Sequence, residues 1–252
     1  MSETQDTLVR DVVDDAVATI TLDSPHNRNA LSRRLVAELV AALERADADA
    51  AVKVVVLRAA GRVFCSGADL SEAAGGSMEE GALTIVRLQR LLLTLGKPVV
   101  VRLHGAVRAG GIGIVAAADV VVAAEDATFA LTEVKLGLAP AAISPTVLAR
   151  MTSRAAALTA LGGEVFSGAQ AASYGLVTAA VPADGLDAEV DRVVAALLTG
   201  APQGLRETKA LLNRDLVAHL DDRGPEVAAL SARLFASPQA QEAMVAFLSR
   251  RT

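Results

Sequence analysis

The sequence predicts an α/β protein, and three observations support this fold class. An apolar, β-branched run at Val99–Leu103 leads through a glycine-rich turn and an alanine-rich segment into a second apolar run, Val120–Ala124. This order of strand, turn, helix and strand is the α/β crossover unit. Residues 54–57 form another buried-strand run, which leads into a turn of small residues. Beyond Pro140 the chain has helical periodicity almost throughout.

The first 140 residues alternate between strand and helix patterns. Residues 7–13 and 16–22 are predicted to be two strands joined by a hairpin-like turn. Ser32 is placed to cap a helix whose leucines recur at helical spacing. Residues 71–78 predict a glycine-containing loop, and residues 79–95 predict an amphipathic helix with a basic edge.

The part of the chain beyond Pro140 is predicted to be mostly helical, with one short strand at 175–181. The predicted helices cover residues 144–151, 154–161, 169–174, 186–198, 204–220, 225–236 and 238–250. No linker marks a clean boundary and no fixed-period repeat is visible. The pattern therefore predicts one continuous architecture whose composition of elements changes along the chain.

Length and composition exclude several classes of protein. The 252 residues suffice for one large domain, and 52% are hydrophobic with only 2% aromatic, so the core is expected to consist of Ala, Val and Leu. The net charge of −5, without a basic block, argues against nucleic acid as a partner. A single cysteine, a polar N-terminus and short apolar runs predict a cytoplasmic protein without a membrane span. Three scattered histidines, at positions 26, 104 and 219, predict no metal site.

Two turns of small residues are the candidate ligand-binding features. One contains Gly105, Gly110, Gly111 and Gly113, and the other is the segment FCSGADL at residues 64–70, where Asp69 is a plausible helix cap. Glycines at such places serve either to pack a helix tightly on a strand or to bring backbone N–H groups close to a ligand. Two turns that each offer one N–H to the same carbonyl oxygen would form an oxyanion hole.

The motifs FCSGADL, KPVVVRLHGAVRAGGIG and AAADVVVAAEDATFALTEVKLGL resemble those of the enoyl-CoA hydratase/isomerase family, the crotonase superfamily. The resemblance extends over nearly the whole chain. It implies a crotonase-like spiral of ββα units with an acyl-CoA site in residues 1–195. It also implies a C-terminal helical oligomerisation region in residues 196–252 and a homotrimer or a dimer of trimers. No cofactor is implied beyond the coenzyme A of the substrate.

The resemblance also implies which groups hold the thioester. The backbone amides of Cys65 and Gly110 are expected to bind its carbonyl oxygen and stabilise an enolate. The alternative, a catalytic Cys65 thiol, lacks a base at a recognisable local spacing. Further substrate-binding residues are expected in the two turns, namely Ser66, Gly67, Ala68, Asp69, Arg108 and Gly111.

An enolate mechanism also needs a proton carrier, and the resemblance assigns this role to Glu133. The alternative is a surface carboxylate paired with Lys135 or Arg108. Hydratases of this family carry an additional glutamate at the position of Gly113, so this chain departs from their pattern. One glutamate can still serve a hydratase if another group fixes the water, and it is enough for an isomerase.

Three other segments carry weaker expectations. Residues 138–145 look like the methylglutaconyl-CoA hydratase branch, with Ser144 expected either to cap the next helix or to touch the acyl group. Arg108 is expected to meet an acyl carboxylate or a CoA phosphate, or to be solvated. Phe247, with the basic pair at 250–251, matches a helix that reaches the CoA of a neighbouring subunit, although the usual tail is missing and an amphipathic helix is the alternative.

The sequence therefore predicts an enoyl-CoA hydratase that adds water across the 2,3 double bond, with Glu133 as general acid/base. The alternatives are an enoyl-CoA isomerase that uses the same glutamate and a non-catalytic acyl-CoA-binding homologue. The fold alone does not decide among them.

Overall fold

A computed structural model of the chain describes residues 7–69, 72 and 78–249, and the side chains up to residue 246. Most of the loop predicted at 71–78 and the basic pair at 250–251 lie outside the described residues. The strands in chain order are β1 Val9–Asp14, β2 Val17–Leu22, β3 Val54–Ala59, β4 Val63–Cys65, β5 Val99–Leu103, β6 Ala106–Arg108, β7 Val120–Ala124, β8 Thr128–Ala130, β9 Phe166–Ser167 and β10 Ala179–Val181.

The helices are α1 Arg33–Ala48, α2 Met78–Thr94, α3 Gly110–Ala117, α4 Ser144–Arg150, α5 Ser153–Gly162, α6 Gly168–Ser173, α7 Leu186–Leu198, α8 Pro202–Phe235 and α9 Pro238–Ser249. Short 3-10 turns lie at Pro25–Asn27, Glu133–Leu136, Ala141–Ile143 and Ala183–Gly185. No described helix is long and apolar enough to cross a membrane.

The larger sheet has six strands in the order β1-β2-β3-β5-β7-β10. β1 is antiparallel to β2, and the other neighbours are parallel. The predicted hairpin is confirmed, with its turn at Asp15 and Ala16, which both have positive φ. The α/β fold class is therefore confirmed.

A second sheet of four short strands, in the order β4-β6-β8-β9, was not predicted. These strands are two or three residues long, which is too short for an alternating pattern to be visible in the sequence. They matter because the two small-residue turns leave this sheet. β4 leads into residues 66–69, and β6 leads through Ala109 into α3.

The predicted helices are found with small shifts of their ends, except that 204–220 and 225–236 are one helix, α8. The prediction of a break at Pro225 was wrong, because α8 continues through this proline. α8 packs along α2, and an exposed ion pair between Arg90 and Asp221 joins the two helices. The boundary predicted at residue 195 falls inside α7.

A buried polar network fastens α8 to the sheet. Lys209 Nζ lies 2.7 Å from Asp119 Oδ2 and donates to the carbonyl oxygen of Lys97 at 2.9 Å. The same carboxylate oxygen accepts from the Val99 amide at 2.8 Å. Asn213 Nδ2 donates to Asp119 Oδ1 at 3.3 Å and to the Leu93 carbonyl oxygen at 3.1 Å. Every charged group of this network therefore has a partner.

Candidate active site

A cavity of about 340 Å³ lies where the turn after β4, the start of α3, α2 and the end of α8 meet. Its walls are mostly apolar and come from elements far apart in sequence. They include Leu31, Val36, Ala82, Ile85, Leu138, Ala142, Ile143 and Phe235. Ala68, Gly110 and Glu133 also line it. The cavity thus collects residues of both small-residue turns and the predicted acid/base.

The two turns are in direct contact at Gly67 and Ala109. Gly67 has φ +90°, and a Cβ built on it would lie 2.8 Å from Ala109 Cβ and 3.2 Å from the Arg108 carbonyl oxygen. Only glycine allows this approach without displacement. The contact places the backbone of Ala68 next to the first turn of α3.

The amides of Ala68 and Gly110 form no hydrogen bond with the described residues. Gly110 is the first residue of α3, and amides at this position have no partner inside the helix. Leu31 donates to the Gly67 carbonyl oxygen at 2.8 Å and so holds the turn before Ala68. Two N–H donors without an acceptor among the described residues therefore belong to residues that line the same cavity.

Ala109 precedes Gly110 in the chain and contacts Gly67, the residue before Ala68. Its backbone is strained. Its φ of 43° and ψ of −122° lie outside the regions that side-chain-bearing residues normally adopt. Such a conformation costs of order 1–3 kcal/mol and persists only when the surroundings impose it. Here the neighbouring Gly111 packs so closely on β4 that a Cβ would lie 2.7 Å from Cys65 Cβ.

The structure does not bring Cys65 to the cavity, which corrects the predicted donor. Cys65 is fully buried inside β4, paired in register with Val107 of β6, and it does not line the cavity. Burial raises the pKa of its thiol to about 12, so a thiolate nucleophile is not available either. The residue with a free amide at the cavity wall is Ala68. Sequence spacing did not show that the strand continues through Cys65.

Glu133 begins a 3-10 turn and lines the cavity. Its Oε2 atom is buried and has no hydrogen-bond partner among the described residues. Desolvation by burial raises the pKa of the carboxyl to about 7, and a hydrogen bond from its own backbone opposes this shift. Neither Lys135 nor Arg108 is among its ion-pair partners in the described structure. The alternative of a paired surface carboxylate is therefore wrong.

The position of Gly113 is closed to a side chain. A Cβ there would lie 2.5 Å from Ile143 Cγ2 and 3.2 Å from both Cδ and Oε1 of Gln89. Gln89 is fully buried and donates to the carbonyl oxygens of Ile85 and Ala142, at 3.0 and 2.9 Å. Its Oε1 accepts from the Thr146 hydroxyl at 2.5 Å. No second carboxylate lies beside Glu133 at this position.

The Arg108 side chain lies against β6 and β8 and not in the cavity. Its guanidinium is half-buried and donates to the carbonyl oxygens of Val107 and Thr128, at 2.8 and 2.6 Å, and to Thr128 Oγ1 at 3.2 Å. Desolvation lowers its pKa. The side chain does not line the cavity. Arg108 is therefore held by groups of β6 and β8 and does not reach the cavity, so it is not placed to meet an acyl carboxylate there, and a contact with a CoA phosphate stays a prediction.

The remaining predicted residues are distributed as follows. Asp69 lines the cavity and accepts from Asn27 Nδ2 at 2.7 Å, and the next helix among the described residues, α2, begins at Met78. Ser66, Gly67 and Gly111 support the turns without lining the cavity. Ser144 is the first residue of α4, and its hydroxyl donates back to the Ala141 carbonyl oxygen at 2.8 Å. The side chain of Phe247 lies outside the described part.

Sequence reasoning assigned no substrate contact to most of the apolar wall, including the residues of α1, α2 and α8. Ser231 and Phe235 come from the end of α8, and residues 138–143 form the wall that follows Glu133. The two α8 residues are four positions apart and therefore share one face of the helix. Nothing in their sequence pattern distinguishes this face from any other packing face.

Comparisons with known proteins agree with this geometry. Residues 13–252 match the family model described as enoyl-CoA hydratase/isomerase. A probable enoyl-CoA hydratase of Bacillus subtilis is 32% identical over 245 residues, which cover 95% of each chain. A 2,3-dehydroadipyl-CoA hydratase of Escherichia coli is 31% identical over 238 residues, covering 94% of this chain and 93% of the relative.

The fold is similarly matched by solved structures. A structure described as a putative enoyl-CoA hydratase from Mycobacterium avium paratuberculosis aligns with a TM-score of 0.92 at 43% identity. The alignment covers 96% of this chain and 97% of that one. The chain therefore belongs to the enoyl-CoA hydratase/isomerase family and has the crotonase fold.

Proposed function

We propose that the protein is a 2-enoyl-CoA hydratase in which Glu133 is the only acid/base and the amides of Ala68 and Gly110 form the oxyanion hole. The unpartnered Oε2 of Glu133 at the cavity wall is the observation that carries this proposal. A carboxyl with a pKa near 7 exchanges protons readily at neutral pH. The names of the relatives at about 30% identity support the hydratase reaction.

In the proposed reaction, the carboxylate of Glu133 takes a proton from a water molecule while the oxygen of that water bonds to C3 of the 2-enoyl thioester. The electrons of the 2,3 double bond move to the thioester oxygen, and the resulting enolate accepts hydrogen bonds from the two amides. The protonated Glu133 then returns its proton to C2. Water has been added and the carboxylate is restored.

A second candidate function is enoyl-CoA isomerisation, and the closed position of Gly113 favours it. Here the carboxylate of Glu133 removes a proton from C2 of a 3-enoyl thioester and the same acid returns it to C4. This reaction needs one shuttling carboxylate and no positioned water. The same two amides would stabilise the dienolate.

Product analysis separates these functions. The purified protein is incubated with crotonyl-CoA and, separately, with 3-hexenoyl-CoA, and the products are identified by mass spectrometry beside a Glu133→Gln variant. A 3-hydroxyacyl-CoA that the variant fails to produce supports the hydratase. A 2-enoyl product from 3-hexenoyl-CoA without hydration supports the isomerase. Binding of both thioesters without turnover would refute both and leave the non-catalytic binding protein.

We also propose that the chain assembles into a homotrimer or a dimer of trimers. Large apolar side chains are exposed on α4, α5 and α8: Leu148, Leu158, Leu161, Leu211 and Leu212 are 57–78% exposed. Burial of these side chains against further copies of the chain would remove apolar surface from water and so stabilise an assembly. Light scattering after size-exclusion chromatography measures the mass directly, and a 25.8 kDa species would contradict the proposal.

A further inference from the structure

The attacking water of the proposed hydration reaction needs a hydrogen-bond partner besides Glu133. One of its protons goes to the carboxylate, and an acceptor for the other hydrogen fixes the direction in which the water oxygen attacks C3. The amides of Ala68 and Gly110 are donors and are used by the thioester oxygen. A Cβ at Gly113 would lie 2.5 Å from Ile143 Cγ2, so no side chain reaches the water from that position. The second partner of the water must therefore come from another part of the wall.

Ser231 of α8 is a hydroxyl-bearing residue of the cavity wall. It lies one turn before Phe235, which lines the same cavity. Its Oγ forms no hydrogen bond with the described residues. Other hydroxyls on the helices of this protein bond back to their own backbone, as at Thr94 and Ser173, which donate to helix carbonyl oxygens at 2.9 and 2.8 Å. The Ser231 hydroxyl is therefore free to bind a molecule inside the cavity.

The other polar side chains of the described lining, apart from Glu133, already have partners within the chain. They are Arg33, Asp69, Glu72, Glu80 and Thr84. Thr84 is the second hydroxyl of the described lining, and it donates to the Glu80 carbonyl oxygen at 2.8 Å. Ser231 is therefore the one polar side chain of the described wall without a hydrogen bond or an ion pair.

The backbone of residues 139–143 is also engaged. The carbonyl oxygens of residues 139, 141, 142 and 143 each accept a hydrogen bond within the chain. The side chains that donate to the last three are those of Ser144, Gln89 and Thr146. This part of the wall therefore presents mainly apolar surface to the cavity and leaves the second contact of the water to α8.

The fold brings α8 next to the segment that begins with the acid/base. α8 packs on Ala141–Ile143, and α9, which follows α8 in the chain, packs on the turn Glu133–Leu136. At Gly137, just after this turn, a Cβ would lie 3.4 Å from the backbone nitrogen of Ala240. Ser231 and the acid/base therefore line one cavity from adjoining elements.

We propose that Ser231 positions the attacking water, whose second hydrogen is donated to Ser231 Oγ while the first passes to the Glu133 carboxylate. A serine hydroxyl has two acceptor lone pairs, so it serves this role without gaining or losing a proton. The inference rests on the proposed function, because a water molecule attacks only in the hydration reaction. It explains how a single carboxylate is enough for a hydratase in which position 113 is closed.

Two variants of matched shape isolate the hydroxyl. Ser231→Thr keeps it, and Ser231→Val has a methyl group in its place, while both side chains are β-branched and of similar helix propensity. With crotonyl-CoA, kcat for hydration should be roughly five- to tenfold lower in Ser231→Val than in Ser231→Thr, because one hydrogen bond is lost. KM should differ by less than about twofold, since the thioester keeps its contacts. Ser231→Ala, compared with the natural protein, makes the same test without the added methyl group, and equal kcat within both pairs would overturn the inference.

Proton exchange at C2 of butyryl-CoA in D2O separates the water from the rest of the site. The Glu133 carboxylate removes a proton from C2, the electrons of that C–H bond move to the thioester oxygen, and a deuteron then returns to C2. This reaction needs the carboxylate and the two amides but no attacking water. Mass spectrometry should therefore show exchange rates within about twofold of each other for Ser231→Val and Ser231→Thr. A loss of exchange parallel to the loss of hydration would mean that Ser231 only supports the shape of the site, and the inference would fail.

The same data distinguish this inference from the proposed function. Hydration by the natural protein, with equal kcat in each pair, refutes the role of Ser231 and leaves the hydratase standing. Exchange at C2 by the natural protein without hydration of crotonyl-CoA refutes the hydratase, and the role of Ser231 with it. A selective loss of hydration in Ser231→Val and Ser231→Ala supports both.

Discussion

Two buried ionisable sites of this protein are built in opposite ways. At the contact of α8 with the sheet, Lys209 and Asp119 are paired at 2.7 Å, and backbone groups and Asn213 satisfy their remaining hydrogen-bonding capacity. At the cavity, Glu133 has one buried oxygen without any partner in the described structure. At the first site the charged groups are paired and hydrogen-bonded within the chain. At the second, a carboxylate oxygen accepts no hydrogen bond from the described residues.

Under the proposed function, the difference is that between a structural carboxylate, Asp119, and a catalytic one, Glu133. A buried charge without a partner is destabilising, so its presence indicates a role that a folded chain alone does not provide. The pKa of Glu133 is raised to about 7, chiefly by desolvation. The paired site contributes to holding α8, and Ser231 and Phe235 of the same helix then complete the cavity wall.

The largest expected effect is the loss of catalytic activity when Glu133 is replaced. Glu133→Gln keeps the shape of the side chain but removes its ability to take up a proton, so kcat/KM should fall by about 10²–10⁴. Glu125→Gln, at an exposed carboxylate of the same segment, should leave kcat/KM within about twofold. Steady-state kinetics with the preferred enoyl-CoA measures both. Retention of more than a tenth of the activity by the Glu133 variant would remove it from the mechanism.

The second effect is on stability at the paired site. Lys209→Met leaves the Asp119 carboxylate buried with two hydrogen bonds and no counter-charge, which should lower the free energy of unfolding by about 3 kcal/mol. Denaturant unfolding measures this loss. Asp119→Asn added to Lys209→Met removes the unpaired charge and should recover a part of it. A double variant less stable than Lys209→Met would show that the charge is not the cause.

The third effect is a dependence of stability on pH, in which Glu133 destabilises the folded protein once its carboxyl is ionised. The folded-state pKa of Glu133 is raised to about 7 from an ordinary value of 4.5, so the native state holds a proton that the unfolded state has released between these pH values. The free energy of unfolding should therefore decrease as pH rises from 4.5 to 7. Glu133→Gln removes this pH dependence and should be more stable than the natural chain above pH 7, by about 3 kcal/mol.

Thermal unfolding of both proteins from pH 4.5 to pH 8 tests this sign. The difference in unfolding temperature between the two proteins should increase from pH 4.5 to pH 7 and remain constant above pH 7. Kinetics provide a parallel measurement, because kcat/KM of the natural protein should rise with pH through a single ionisation near 7. A difference that decreases as pH rises would mean that the folded protein stabilises the ionised carboxylate.

Sequence patterns predicted the larger sheet and the helices well, because long apolar runs and helical periodicity are visible over five or more residues. The four-stranded sheet was not predicted, since its strands have two or three residues. The sequence analysis named Cys65 as the donor, whereas the structure places Cys65 in β4 and Ala68 at the cavity wall. That Cys65 belongs to a strand follows from the pairing of β4 with β6, a long-range contact that the sequence pattern does not show.

The candidate acid/base was named from the resemblance to the family, and the sequence alone did not separate Glu133 from Glu125 or Asp126. The structure separates them by burial, because the latter two are exposed on the turn after β7. The cavity was equally invisible in the sequence, because its wall combines residues such as Leu31, Ala82 and Phe235, which only the tertiary fold brings together.

The smallest effect concerns a satisfied polar cluster directly behind the cavity wall. Gln89 joins the Ile85 and Ala142 carbonyl oxygens of two wall residues, and its Oε1 accepts from the buried hydroxyl of Thr146. Thr146→Val preserves the shape but leaves Oε1 without this donor, which should destabilise the protein by about 1–2 kcal/mol. Thr146→Ser keeps the hydroxyl and should lose less, and denaturant unfolding measures both variants.

If this cluster also holds Ala142 and Ile143 in place, Thr146→Val should raise KM for the enoyl-CoA with little change in kcat, because the wall contacts the acyl chain equally in the ground state and the transition state. A fall in kcat at unchanged KM would instead connect the cluster to Glu133 itself. That result would erase the distinction between the two kinds of buried polar site, since a fully hydrogen-bonded group would then be contributing to proton transfer.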